Sequence, residues 1–266
     1  MTQSIAEVMD KLKEKIQSQA VKPDGSGESK LDYQCDKCKD RTGFILNKDG
    51  VEYWRDCSCV AWRRSERIIK SSEITEKFKR LGFSNFRTDG KPNEVVNMYQ
   101  CAMSYYKEFE SVRDDRQNSI SFLGQPGSGK THLLMAVSNN LMLKKHIPVL
   151  YFPYVEGFND LKDDFDQLEK KLDRMKKVDV LFIDDLFKPA KGKPRATDWQ
   201  VEQTYAVINH RYLNHKPIMV SSELNVDQLC DVDEALGTRI FEMCRYFTVV
   251  VEGDRKKLNH RLEGLA

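Results

Sequence analysis

Four cysteines in two close pairs stand in the first quarter of the chain. The stretch YQCDKCKD carries Cys35 and Cys38, and after eighteen residues DCSC supplies Cys57 and Cys59. Four thiolates on either side of the hairpin-like segment GFILNKDGVEYW suit a tetrahedral Zn²⁺ ion. In so small a module the metal would supply folding energy that a tiny core cannot. The sequence therefore predicts a zinc site.

Two other interpretations of these cysteines stay open. The second pair is C-x-C, whereas C-x-x-C is commoner at zinc sites. A redox pair is the first alternative, although no strand-then-helix unit places Cys35 at a helix start. Incidental cysteines are the second. Cys101, Cys230 and Cys244 stand alone on apolar helical faces, where we expect them to pack in the core.

A second candidate for chemistry is the stretch GQPGSGKT, which matches G-x-x-x-x-G-K-[ST]. An apolar strand-like run, SISFLG, precedes it and a helical pattern follows, as a P-loop requires. Backbone amides of the glycine-rich loop would face phosphate oxygens, Lys130 would neutralise the β- and γ-phosphates, and Thr131 would offer its hydroxyl to Mg²⁺. We expect the nucleotide to be bound by Gly124, Gln125, Pro126, Gly127, Ser128, Gly129, Lys130, Thr131 and His132.

An acidic pair follows another apolar run, VDVLFIDDL. Asp184 would hold Mg²⁺ through water, and Asp185 would orient the attacking water. Paired aspartates after a strand can also simply open a turn or cap a helix. With a P-loop in the same chain, we predict an ATPase that uses Asp184 as its magnesium carboxylate.

The elements that must position these residues alternate along the chain. Five short apolar runs, typical of strands buried on both faces, are separated by segments of helical period. They are SISFLG, IPVLYF, VDVLFIDDL, PIMVSS and YFTVVVEG. This alternation predicts an α/β fold in three layers with a central, mainly parallel sheet.

Length and composition allow one full domain and a small one. The chain has 266 residues and a formal net charge of +2, so charge alone indicates no nucleic-acid partner. It shows neither a signal peptide nor a membrane span, and we expect a soluble cytoplasmic protein. We predict an amphipathic helix and linker at 1–30, a zinc-binding module at 31–75 and an ATPase domain at 76–266.

The ordered set of P-loop, VLFIDD, VSSEL and GTRIFEM resembles the AAA+ ATPases of the initiator and helicase-loader clade, and within it the DnaC/DnaI-type helicase loaders of phages and prophages. The resemblance covers roughly residues 83 to 261. It implies that Ser222 stands at the sensor 1 position, where this chain has Glu223 next instead of the family's Asn. It also implies that Arg239 is an arginine finger reaching a neighbouring subunit in a head-to-tail assembly, with an ordinary surface arginine on a helix as the alternative. Arg261, or alternatively Arg255, would be the sensor 2 arginine.

The resemblance also points to contacts with DNA and with protein. Relatives bind single-stranded DNA with an insertion after the second strand, where Phe165 could stack on a base or instead pack in a helix core. The loop FKPAKGKPRAT is a second candidate, because its cations lie in a segment unsuited to a helix interior. These cations are Lys188, Lys191, Lys193 and Arg195.

We therefore expect an ATPase, slow because Asp185 replaces the more usual Glu and stimulated by DNA. The resemblance implies that it binds a hexameric replicative DNA helicase through its N-terminal modules and delivers it to single-stranded DNA, using ATP, Mg²⁺ and Zn²⁺. Two alternatives stay open. One is a transposition ATPase resembling the IstB group, and the other is a non-hydrolysing adaptor gated by ATP.

Overall fold

The computed structural model describes residues 33–161 and 164–262. The amphipathic helix and the linker predicted at 1–30 lie outside the described residues. Within the described ranges, no helix combines the length and apolar character needed to cross a membrane.

The described chain contains seven strands and ten α-helices. The strands are β1 Gly43–Lys48, β2 Val51–Asp56, β3 Ile120–Gly124, β4 Val149–Pro153, β5 Val180–Asp184, β6 Ile218–Ser221 and β7 Thr248–Val251. The helices are α1 Cys59–Ser71, α2 Glu76–Lys79, α3 Asn93–Val112, α4 Lys130–Lys144, α5 Tyr154–Asn159, α6 Phe165–Lys177, α7 Asp198–Leu213, α8 Val226–Val232, α9 Glu234–Met243 and α10 Arg255–Leu258. Short 3₁₀ turns occupy Phe83–Asn85 and His260–Leu262.

The central sheet has five parallel strands in the order β4-β5-β6-β3-β7. Side chains of one strand alternate between two hydrophobic clusters, as in β5, where Phe182 joins one cluster and Leu181 and Ile183 join the other. Because each strand buries both faces, its sequence is continuously apolar. The predicted three-layer α/β fold with a central parallel sheet is confirmed.

The cysteine-bearing segment is joined to this domain through α1. Ile68, Ile69 and Ile74 belong to the cluster on one face of the sheet. The Ser72 carbonyl accepts a 2.9 Å hydrogen bond from the Tyr151 amide, so the chain after α1 runs beside the edge strand β4. The hairpin β1–β2 and the cysteine loops thus extend from a helix that is itself part of the ATPase-domain core, and the domain boundary at 75 stays a prediction.

A buried arginine fixes the end of α6 against the sheet. Arg211 of α7 is completely buried. Its guanidinium donates to five backbone carbonyls at 2.6 to 3.4 Å, those of Met175, Lys176, Val178, Asp179 and Pro217. Burial lowers the pKa of Arg211 to about 9. Its side chain satisfies carbonyls that the end of a helix would otherwise leave unpaired.

We predict that Arg211→Met lowers the free energy of unfolding by about 2 to 4 kcal/mol, because several buried carbonyls lose their donor. Chemical denaturation monitored by circular dichroism measures this. Arg245→Met is the control, since Arg245 is exposed, and should change stability by less than about 0.5 kcal/mol. Equal effects of the two variants would contradict the assignment of Arg211.

Candidate nucleotide and metal sites

The P-loop connects the end of β3 to the start of α4. Gly124 and Gly129 have φ values of 93° and 95°, in the left-handed region that favours glycine. A Cβ on Gly124 would lie 2.3 Å from the Val251 carbonyl oxygen, and one on Gly129 would lie 2.4 Å from the Phe86 ring. Neither position accepts a side chain, and the loop can therefore present its backbone amides at the N-terminus of α4.

Lys130 lies at the base of this loop. Its ammonium group donates to the carbonyls of Gly124 and Gln125, each at 2.7 Å. Burial lowers the pKa of Lys130 to about 8, although the carboxylates of Glu223 and Asp185 oppose that decrease. A polyphosphate in the cleft would supply the strong negative charge that favours the ammonium form.

Asp184, at the end of β5, accepts hydrogen bonds from three elements. The Thr131 hydroxyl donates to Oδ1 at 2.8 Å and Ser221 to the same atom at 2.5 Å, while the Tyr151 hydroxyl donates to Oδ2 at 3.0 Å. Burial raises the pKa of Asp184, and these three donors act in the opposite direction. The carboxylate and the Thr131 hydroxyl together form an oxygen donor set of the kind that Mg²⁺ prefers.

Asp185 has a different environment. Its φ of 55° lies in the left-handed region, and its amide donates to the Ser221 hydroxyl at 2.9 Å. Its carboxylate is paired with the ammonium group of Lys188 at 2.6 Å, and the same ammonium lies 4.0 Å from Glu223. Lys188, placed by the sequence in a DNA-binding loop, is therefore part of the nucleotide cleft.

The cleft in front of the P-loop has a volume of about 380 Å³. The ring of Phe86 forms one wall. The rings of His132 and His260 pack edge-on against it, with centroid distances to the Phe86 ring of 5.1 and 5.3 Å. The cleft is lined by Asn85, Phe86, Arg87, Pro126, Gly127, Gly129, Lys130, Thr131, His132, Asp185, Lys188, Glu223, His260 and Arg261. Its size and mixed lining suit a nucleoside triphosphate.

Among the predicted sensor residues, the structure brings Arg261 into the cleft, whereas Arg255 is absent from its lining. The Ser222 hydroxyl donates to the Leu186 carbonyl at 2.7 Å and accepts from the Leu224 amide, so it is bonded to backbone. Its neighbour Glu223 is the residue that lines the cleft. These roles stay predictions.

Arg239 lies outside the cleft lining, on α9, where its guanidinium is 5.3 Å from the ring centre of Tyr205 and 5.4 Å from that of Tyr212. Lys191, Lys193 and Arg195 are exposed on the loop after β5. Phe165 begins α6, and its side chain lies outside what the structure describes.

The four predicted zinc ligands converge. The sulfur atoms of Cys35, Cys38, Cys57 and Cys59 all lie within 4.8 Å of one another, and all four residues are buried. Two of the sulfur-to-sulfur distances are 3.9 and 3.5 Å. Tetrahedral Zn–S bonds of about 2.3 Å place sulfurs about 3.8 Å apart, so the cluster fits Zn²⁺.

The local backbone explains how the C-x-C pair reaches the cluster. β2 ends at Asp56, and α1 begins at Cys59, so Cys57 and Cys59 lie on the two sides of a turn into a helix. The opposite loop is held by Asp40, whose carboxylate accepts from the Gln34 and Cys35 amides and pairs with Arg63. Asp40 is a supporting residue that the cysteine spacing alone does not predict.

Tyr151 and Ser221 were not predicted as partners of Asp184. Phe86 was not predicted as a wall of the cleft. Tyr151 and Ser221 are polar residues in apolar strands, which is the one local signal that could have marked them. Nothing in the sequence around Phe86 distinguishes it from other core aromatics.

The chain is similar to a known family and to several known proteins. Residues 79–244 match the family described as the bacterial DnaA ATPase domain. The chain is 56% identical over 246 residues to the phage-like element PBSX protein XkdC of Bacillus subtilis (strain 168), covering 92% of each. It is 32% identical over 127 residues to the chromosomal replication initiator DnaA of Streptococcus thermophilus, covering 46% of this chain and 27% of that protein.

Solved structures with a similar fold include two described as DnaI and as the DnaC helicase loader. Their TM-scores are 0.54 and 0.55, each at 22% identity, covering 68% and 67% of this chain and 95% and 100% of theirs. A replication initiator DnaA bound to AMPPCP and single-stranded DNA gives a TM-score of 0.52 at 21% identity, covering 70% and 53%. At these identities the structures establish the AAA+ fold.

For the cysteine cluster, we predict that the purified chain binds one Zn²⁺ and that Cys57→Ser loses most of it, because one of four ligands is removed. Metal content measured by mass spectrometry after dialysis tests this. Cys101→Ser, outside the cluster, is the matched control and should keep the full content. Full zinc retention by Cys57→Ser would show that the cluster is not the binding site.

Proposed function

Because the chain belongs to the bacterial DnaA ATPase-domain family, we propose that it is an ATP-dependent loader that delivers a hexameric replicative DNA helicase to single-stranded DNA. The observation that carries this proposal is the P-loop cleft, which Lys130 and Thr131 line, with the Asp184 carboxylate hydrogen-bonded to the Thr131 hydroxyl; these are the groups that would bind a nucleotide with Mg²⁺. The similarity to DnaI and the DnaC helicase loader supports the loading role, and the DnaA complex with single-stranded DNA supports a DNA partner.

In this proposal ATP binds with its phosphates against the P-loop. Lys130 exchanges its two carbonyl partners for phosphate oxygens, and Thr131 and Asp184 would hold Mg²⁺, which would neutralise phosphate charge. Asp185, which lines the cleft, would orient the attacking water, and Arg261 would contact the nucleotide as the sensor arginine. In this proposal Arg239, whose guanidinium lies against the rings of Tyr205 and Tyr212, acts as an arginine finger toward the nucleotide of a neighbouring subunit in a head-to-tail assembly.

The segments outside the ATPase core would select the partners. The zinc module, fixed to the core through α1, presents the hairpin β1–β2 for helicase docking, and several of its large apolar side chains are exposed. The exposed cations Lys191, Lys193 and Arg195 would contact DNA phosphates. Lys188 stands at the start of the same loop and lines the nucleotide cleft. The loop would therefore connect DNA contact to ATP hydrolysis.

A second candidate function, an ATP-gated adaptor that does not hydrolyse ATP, is favoured by one observation. The carboxylate proposed to orient water is held by Lys188 at 2.6 Å. If this pair persists with nucleotide bound, Asp185 is not available to the water. The chain would then bind ATP and change its partner affinity without turnover.

We expect single-stranded DNA to stimulate ATP hydrolysis by the wild-type chain and Lys130→Ala to abolish it, because the variant lacks the charge that pairs with the phosphates. Steady-state phosphate release measures this. Lys144→Ala, at the exposed end of the same helix, should retain the wild-type rate. Turnover unaffected by DNA and by the helicase would rule out the loader proposal.

The ion pair between Lys188 and Asp185 separates the two candidates. Lys188→Ala frees Asp185, and since partly exposed ion pairs contribute about 0.5 to 1 kcal/mol, hydrolysis without DNA should rise about two- to fivefold. Lys191→Ala, on the exposed part of the loop, should leave that rate unchanged. Absence of single-turnover hydrolysis in wild type and variant, with ATP binding intact, would instead support the adaptor.

A further inference from the structure

A groove of about 500 Å³ lies on the zinc module, far in sequence from the ATP cleft. One wall is the first cysteine loop and the other is the hairpin. The groove is lined by Lys37, Cys38, Lys39, Arg41, Gly43, Phe44, Ile45 and Trp54. It therefore combines three cations with the indole ring of Trp54, a composition that an apolar protein-docking role does not account for.

Trp54 is held in a defined orientation within this groove. Its indole N–H donates to the Asp56 carboxylate at 2.8 Å. A Cβ on Gly43 would lie 2.3 Å from the indole ring, so the ring lies directly against the Gly43 backbone. The side chain is nonetheless 53% exposed. One side of the ring is supported by protein, and a large part of its surface is open to a planar ligand.

The charges around the groove favour an anion. Lys37, Lys39 and Arg41 line it, whereas no carboxylate within residues 33–161 and 164–262 does. Two acids of the same module already have donors. Asp40 accepts from the Cys35 amide and pairs with Arg63, and Asp56 accepts from the indole.

We propose that this groove binds single-stranded DNA, with one base stacked on Trp54 and neighbouring phosphates near Lys37, Lys39 and Arg41. Aromatic stacking beside a cationic track is how proteins bind single strands without sequence preference. A base within a duplex has both faces covered, so it cannot stack on the indole. This site is separate from the DNA-contacting loop after β5 proposed above. DNA binding in the groove does not depend on helicase loading being the process that the ATPase serves.

The opposite face of the hairpin supplies a matched control. Ile45 pairs with Trp54 in the β1–β2 register, and Leu46 pairs with Tyr53. Side chains alternate along a strand, so Tyr53 projects from the other face. Tyr53 is 45% exposed and is not part of the groove lining. Trp54→Ala and Tyr53→Ala therefore remove similar aromatic surface from adjacent positions and differ in which face they alter.

The test is the affinity of the zinc-loaded full chain for a fluorescent oligothymidylate of about ten nucleotides, measured by anisotropy at fixed salt. We expect Trp54→Ala to weaken binding about fivefold or more, Trp54→Phe to restore most of the affinity and Tyr53→Ala to stay within about twofold of wild type. Zinc content and melting temperature of each variant verify that the module is folded.

A triple variant, Lys191→Ala, Lys193→Ala and Arg195→Ala, removes the other proposed DNA contact and shows whether the groove binds DNA by itself. In that background the loss caused by Trp54→Ala should be larger. Photocrosslinking with bromodeoxyuridine should also label the peptide containing Trp54.

Two results would overturn the proposal. One is unchanged oligothymidylate affinity in Trp54→Ala, including the case where that variant loses helicase binding, which would make the groove a protein-docking surface. The other is an equal loss in Trp54→Ala and Tyr53→Ala with zinc retained, which would show that no specific face binds DNA.

Discussion

The buried carboxylate of Asp184 is the interaction on which the nucleotide site depends. Its oxygens collect hydroxyl donors from α4, β4 and β6, which are Thr131, Tyr151 and Ser221. These donors meet because parallel strands in the order β4-β5-β6 bring their carboxyl ends to one edge of the sheet. Burial raises the pKa of Tyr151, so its hydroxyl remains a donor under ordinary conditions. The hydrogen bonds of Asp184 thus depend on the order of the strands.

How much of this site can be predicted from the sequence depends on how far apart along the chain its residues lie. The P-loop and the acidic pair are contiguous motifs between an apolar strand and a turn, so their spacing alone predicts them. The contact between Tyr151 and Asp184 joins residues on neighbouring strands, and strand order is not encoded locally. Arg211 shows the same limit, because an arginine in a helical segment predicts an exposed side chain until the carbonyls around it are placed.

The zinc module illustrates a prediction that spacing supports only in part. Two cysteine pairs indicate a metal site, but the shorter C-x-C pair departs from the commoner pattern. The departure has a geometric reason, since Cys57 and Cys59 straddle the turn from β2 into α1 and need only one residue between them. What the pattern could not predict is that α1 then becomes part of the sheet-covering core through Ile68 and Ile69.

The position of Tyr151 has one further consequence. Its amide donates to the Ser72 carbonyl just after α1, and its hydroxyl donates to Asp184, so one residue of the edge strand contacts both the end of the helix that follows the cysteine cluster and the buried carboxylate beside the P-loop. Coupling between two binding sites is reciprocal by thermodynamic necessity. If a ligand bound to the hairpin changes the affinity for nucleotide through this strand, then bound nucleotide changes the affinity of the hairpin for that ligand by the same factor.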